Sequence, residues 1–332
     1  MILGRGAALC GIPATDLPSD VIVLSRALQY QQDLSYMTTI DISDCGTAMR
    51  FLTAYFAALP SNVLLTGTQR IKQRPIAPLV DALRSLGADI QYKEKEGFPP
   101  LLIKGKRLNG GAVQIKGDVS SQFVSALMLI SDLTDRGIDI DILPPVASSP
   151  YIRLTQEIIN DKNFSIEPDW SAAAFWYEYV AIGGQQPIIL RNLRLDSVQG
   201  DSIAKQVFEQ LGVETEECID GLKLKRSNHI CSYLEWDFID CPDLYPSVAA
   251  TCYALNVKTR FSGTETLKYK ESDRLAVMQH VLSNLNEPID SDDHRIVMAL
   301  AMLKLKNPII AISNTQCVAK SYPGFWEQYN RL

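Results

Sequence analysis

One plan recurs three times along the chain and limits its possible folds more than any other feature. Residues 63–90, 188–215 and 259–286 each open with a short β-prone run and pass through a polar loop rich in Arg, Lys or Asp. Each then enters a helix-periodic stretch, with apolar residues at Leu79, Leu83 and Leu86 in the first copy and at Leu275, Met278 and Leu282 in the third. Gly87 and Gly212 close the first two of these helices as expected C-cap glycines.

A second unit alternates with the first. Stretches opening at Asp44, Gly117, Pro168, Cys241 and Ser291 pass from a polar turn into small and apolar residues on nearly every helical face. Such helices must be buried, and Asp, Ser or Thr caps are expected to leave first-turn N–H groups available to an anion. Repeated α/β units around helical cores, rather than one open sheet, follow from this alternation. At about 150 residues per domain, 332 residues make two, and the repeats resume after Pro168. The expected domains are therefore 1–167 and 168–332.

Other classes are excluded by what is missing. No G-x-G-x-x-G follows a strand and no G-x-x-x-x-G-K-[ST] occurs, so dinucleotide-binding and P-loop readings lack their fingerprints. The longest apolar runs, such as 124–130, fall far short of the ~20 residues of a membrane-spanning helix. A net charge of −6 argues against general nucleic-acid binding. Seven cysteines without a C-x-x-C pair fit neither a disulfide framework nor a zinc site, and only three histidines are present. Reduced thiols in a cytoplasm, with no metal, are the expectation; the start of the chain lacks the pattern of a secretory signal.

Charge supplies the functional clue. Arg50, Lys72, Arg74, Lys268, Lys270, Arg274, Arg295 and Lys320 sit in the polar loops or beside them, with acids at Asp243, Glu271, Asp273 and Asp293. Taken singly, the bases read as solvated surface charges. Asp243 reads as a helix cap and residues 270–274 as an acid-rich helix start. Recurrence at equivalent places in a repeat favours convergence into an anion cradle with an acid/base pair beside it.

Eight ordered motifs sharpen this. They are D-C-G-T-A-M-R from Asp44, Q-R-P-I from Gln73, S-S-Q-F from Ser120, S-S-P-Y from Ser148, Pro242-Asp243, K-E-S-D-R from Lys270, D-H-R from Asp293 and A-K-S-Y-P from Ala319. With them the chain resembles the 5-enolpyruvylshikimate-3-phosphate synthase family over nearly its whole length. The resemblance implies an α/β (α+β) fold of two domains built from βαβαββ units, closing over the substrates. It implies that the 5-hydroxyl of shikimate 3-phosphate attacks C2 of phosphoenolpyruvate while C3 is protonated, and that phosphate then leaves, with no metal or organic cofactor. A cytoplasmic monomer acting on small molecules is expected.

By the same resemblance, Ser120, Ser121, Gln122, Ser148, Tyr151, Asp243 and Lys270 hold shikimate 3-phosphate. Gly46, Thr47, Arg74, Gln122, Arg274, Arg295 and Lys320 hold phosphoenolpyruvate. Asp243 accepts the 5-hydroxyl proton and Glu271 donates one to C3. Departures from the family pattern also set expectations. The family's S-K-S-x-S-N-R-A-L motif is absent, hairpins expected near 160–164 and 285–290 look shortened, and Thr266 replaces an asparagine. Loss of the motif's cations implies slow turnover for the chain as written, the alternative being a catalytically silent homologue that retains anion binding.

Overall fold

A computed structural model describes residues 17–29, 36–161 and 165–332. The chain divides into two units, Met1–Phe164 and Ser165–Leu332, each with its own apolar core.

In the first unit, α1 (Ser19–Leu28) precedes β1 (Thr38–Asp41), α2 (Gly46–Ala58), β2 (Ser61–Thr66), α3 (Ala77–Ser85), β3 (Asp89–Tyr92) and β4 (Leu101–Gly105). The four strands form one sheet in the order β1-β2-β4-β3, with β1 and β2 parallel and the remaining neighbours antiparallel. This is a complete βαβαββ unit. β5 (Gly111–Lys116), α4 (Ser121–Ile130), β6 (Ile138–Leu143) and α5 (Ser149–Asn160) follow, with β5 and β6 parallel. Here the pattern ends after βαβα. Of the hairpin expected near 160–164, residues 162–164 lie outside the described residues.

The second unit opens with α6 (Trp170–Ala181), β7 (Ile188–Arg191), α7 (Ala204–Gln210), β8 (Leu211–Cys218) and β9 (Gly221–Ile230). These strands make an antiparallel sheet ordered β7-β9-β8. β10 (Tyr233–Asp237), α8 (Tyr245–Leu255), β11 (Lys258–Ser262) and α9 (Arg274–Ser283) form a second parallel βαβα run. α10 (His294–Lys306) and α11 (Phe325–Tyr329) complete the unit. The described segment between α9 and α10 forms no hairpin; its Ile289 makes a parallel bridge to Ile312, which follows α10.

The recurring sequence plan has a physical counterpart. In all three copies a strand leads through a single 3-10 turn, at Ile71–Gln73, Gly200–Ile203 and Leu267–Tyr269, into the amphipathic helices α3, α7 and α9. Gly87 and Gly212 stand just past α3 and α7 with φ of 97° and 88°, the left-handed backbone that a C-cap glycine supplies. The five apolar stretches are α2, α4, α6, α8 and α10. α2 packs on α4, and α6, α8 and α10 pack on one another, burying nearly every side chain they carry. Ser120, Asp169 and Asp293 cap α4, α6 and α10 through their side chains. α2 is capped by Cys45 rather than Asp44, its Sγ accepting from the Ala48 N–H at 3.2 Å.

Candidate active site

Parallel strand pairs place loops and helix N-termini at their carboxyl ends, where ligands bind in open α/β sheets. All three parallel pairs carry candidate site residues there.

At the β1–β2 end, a Cβ on Gly46 would stand 2.5 Å from Arg74 Nη1 and 2.7 Å from Arg50 Nη1. Two buried guanidinium groups thus press against a backbone that glycine alone leaves open. Arg50 Nη1 donates to Gln122 Oε1 at 2.8 Å, and Gln122 Nε2 donates to Thr47 Oγ1 at 3.0 Å. Gly46, Thr47, Arg74 and Gln122 therefore come together, joined by Arg50, which the sequence marked only as one base among many.

At the β5–β6 end, the Ala147 N–H donates to the Gly117 carbonyl at 3.0 Å and ties the two loops together. Ser120, Ser121 and Gln122 begin α4, while Ser148, at φ 57°, precedes α5 and Tyr151 lies in its first turn. α4 and α5 pack together, with Ser125 Oγ and Thr155 Oγ1 2.7 Å apart. Hydroxyl groups and helix N-termini are suited to a phosphate.

The second unit holds the charged cluster. Arg274, 1% exposed, donates from Nε to Asp293 Oδ2 at 2.8 Å, from Nη1 to Asp243 Oδ1 at 2.5 Å and from Nη2 to Glu271 Oε2 at 2.8 Å. Lys270 Nζ lies 3.0 Å from Asp243 Oδ1, Arg295 Nη2 3.2 Å from Asp243 Oδ2, and Lys320 Nζ 3.8 Å from Glu271 Oε1. Asp243, Lys270, Glu271, Arg274, Arg295 and Lys320 thus form one network. The cap reading of Asp243 is overturned: it sits in the 3-10 turn Pro242–Leu244 with its carboxylate on three cations, and α8 has no side-chain cap. The cap of α9 is Asp273, whose Oδ1 accepts from the Ala276 N–H, while Glu271 turns to Arg274.

Burial raises the proton affinity of Asp243, but Arg295, Lys270 and Arg274 outweigh it and hold the carboxyl well below its ordinary range. Burial also pushes Asp293 up, and Arg274 reverses this. Burial would lower the Arg274 value, yet Asp293, Asp243 and Glu271 drive it upward. Lys270 is lowered, chiefly by burial.

Asp293, an acid of the D-H-R motif, has a double duty that the sequence does not disclose. Its Oδ1 accepts from the Arg295 N–H at 3.1 Å as the cap of α10, and its Oδ2 binds Arg274 and Ser272 Oγ. His294 follows it, buried; burial drops its imidazole to about 4, and Nδ1 makes no hydrogen bond. Glu271, Asp293 and His294 offer donor atoms within 4.8 Å of one another, but Arg274 already occupies both carboxylates. The Thr266 hydroxyl, at the position of the family asparagine, is buried without a hydrogen-bond partner.

A family model described as EPSP synthase (3-phosphoshikimate 1-carboxyvinyltransferase) matches residues 14–163 and 156–290. A 3-phosphoshikimate 1-carboxyvinyltransferase of Bacteroides fragilis is 39% identical over 368 positions, covering 95% of this chain and 88% of the relative. That alignment is longer than this chain of 332 residues, so it opens gaps opposite segments of the relative. One from Methanoculleus marisnigri is 28% identical over 98% of this chain and 86% of its own length. The fold is shared with an EPSP synthase structure from Acinetobacter baumannii, at TM-score 0.65 and 20% identity over 89% of this chain and 78% of that one. The chain belongs to the EPSP synthase family.

Proposed function

We propose that this chain transfers the enolpyruvyl group of phosphoenolpyruvate to the 5-hydroxyl of shikimate 3-phosphate and releases inorganic phosphate. The observation that carries the reading is the buried second-unit network, in which two carboxylates, Asp243 and Glu271, share Arg274 and are ringed by Lys270, Arg295 and Lys320. An enolpyruvyl transferase needs this combination, a proton acceptor and a proton donor beside cations that hold a carboxylate and phosphates. Family membership favours it over a catalytically silent homologue.

In this reading Ser120, Ser121, Gln122, Ser148, Tyr151 and Lys270 hold shikimate 3-phosphate. Gly46, Thr47, Arg74, Gln122, Arg274, Arg295 and Lys320 hold phosphoenolpyruvate, with Arg50 bracing Gln122. Asp243 takes the proton of the 5-hydroxyl as its oxygen bonds to C2 of phosphoenolpyruvate, and Glu271 protonates C3 to a methyl group. The tetrahedral adduct then loses phosphate from C2 and a proton from that methyl group, restoring the double bond. A carboxylate gripped by three cations is a weak base. Substrate anions compete for those cations and so raise the proton affinity of Asp243 as the site fills.

The roles follow from this chain's own side chains and call for no metal or organic cofactor. The chain acts as a monomer in the cytoplasm, a setting compatible with the absence of disulfides among the described cysteines. The test is phosphate release with both substrates present in wild type, Asp243→Asn and Glu271→Gln. Each variant should lose roughly 10²-fold or more in kcat while still binding shikimate 3-phosphate by calorimetry. Wild-type turnover in either variant removes that residue from its role.

A further inference from the structure

The second copy of the recurring strand, turn and helix carries an acid where the third carries its cations. Asp201 lies in the 3-10 turn Gly200–Ile203 and is 0% exposed. Its Oδ2 accepts a hydrogen bond from Ser171 Oγ in the first turn of α6, while its Oδ1 accepts none. A buried carboxylate with one neutral donor requires positive charge nearby or a proton.

The nearby positive charge is Arg295, whose own guanidinium is held charged against burial by Asp243, Asp169 and Asp201. The turns bearing Asp201 and Asp243 both pack on α6, and so does α10, which bears Arg295. Facing Asp201 from these elements are Asp169 at the cap of α6, Asp243 and Cys241 beside α8, and Arg295. Facing Asp243 are Lys270, Arg274 and Glu271 as well as Arg295. Arg295 is thus ion-paired with Asp243 at 3.2 Å, while Asp201 feels its charge from farther off without touching it.

We propose that Asp201 is a positioning residue that sets the basicity of Asp243 by competing for Arg295. Ionised, Asp201 draws part of the guanidinium charge to itself and leaves Asp243 a stronger proton acceptor. Protonated, it yields Arg295 entirely to Asp243 and weakens the base. Burial and then the charge of Asp243 push the Asp201 carboxyl up to about 6, with Arg295 and Ser171 pulling the other way. Loss of its charge on acidification should therefore produce an acid limb in kcat. This inference rests on the reading of Asp243 as the proton acceptor.

The test is the pH profile of kcat, from pH 5 to 9, for wild type, Asp201→Asn, Ser171→Ala and Asp243→Asn, with folding checked by thermal melting. Asp201→Asn should lower kcat at pH 8 by about five- to tenfold and abolish the limb near pH 6, with KM for shikimate 3-phosphate nearly unchanged. Ser171→Ala removes the hydrogen bond that favours the ionised form, so it should move the limb to higher pH and leave the plateau intact. If Asp201→Asn does not fold, this shift alone decides, and an unmoved limb in Ser171→Ala overturns the proposal. So does a folded Asp201→Asn with the wild-type profile while Asp243→Asn is inactive. Turnover surviving in Asp243→Asn would instead overturn the base reading, whatever Asp201→Asn does.

Discussion

Arg274 balances three carboxylates with one guanidinium, so its removal leaves Asp243, Glu271 and Asp293 facing one another in a buried site. Breaking a buried pair from one side costs about 3 to 5 kcal/mol, and Arg274→Ala should lose stability of that order in urea denaturation together with measurable turnover. Stability unchanged within error would show that the cluster is hydrated and the charges screened. At Gly46 an added methyl meets two arginine side chains. Gly46→Ala should therefore raise KM for phosphoenolpyruvate about tenfold or more and spare that for shikimate 3-phosphate, as steady-state kinetics would reveal. Glu178, fully buried in α6 with neither carboxylate oxygen hydrogen-bonded, is held well above the ordinary carboxylate range by burial. As pH rises from the unfolded-state value toward the raised folded one, the unfolded chain has lost a proton that the folded chain keeps, so stability falls. Glu178→Gln should consequently gain more over wild type at pH 8 than at pH 5; an equal effect at both would mean that folding does not raise the proton affinity of Glu178. Motif residues such as Lys270 and Arg274 were legible in the sequence because the K-E-S-D-R motif carries the family resemblance. Asp201 was not, and neither was the grip of Asp293 on Arg274, since an acid in a loop looks the same whether it meets water or a buried guanidinium.

At the scale of elements, the alternation of amphipathic and buried helices was legible because periodicity reports burial directly. Caps were less so. Cys45 accepts the bond that Asp44 was expected to take, and Asp243 is drawn from its helix by three cations whose positions depend on distant segments. The two C-cap glycines now separate strain from crowding. A methyl group at Gly87 meets nothing within 4 Å, whereas at Gly212 it lies 2.9 Å from Ile230 Cγ1, with φ positive at both. Gly87→Ala should cost about 1 kcal/mol from backbone strain alone and Gly212→Ala more than that, as paired thermal melts would register. Equal costs would mean that Ile230 gives way freely.

For the whole molecule, the sequence foretold repeated α/β units, and the described residues form one complete βαβαββ unit, in the first unit, and several shorter runs. Between α9 and α10, Ile289 forms a parallel bridge to Ile312 beyond α10, and no hairpin is formed among these described residues. Each unit nevertheless presents its candidate residues at the carboxyl ends of parallel strands, with phosphate-suited hydroxyls in one and the acid/base network in the other. Acid should weaken the second unit's network. Asp243 and Asp293 are both held below their ordinary values, so their stabilisation is present above the unfolded-state carboxylate range and is lost as pH falls through their folded values. The most direct test of the account is phosphorus NMR of the purified chain incubated with phosphoenolpyruvate and shikimate 3-phosphate, together and singly. Inorganic phosphate and an enolpyruvyl product should form in equal amounts, only when both substrates are present, with a loss of at least about 10²-fold in Asp243→Asn. Phosphate release that ignores shikimate 3-phosphate, or that proceeds equally in Asp243→Asn, would contradict it.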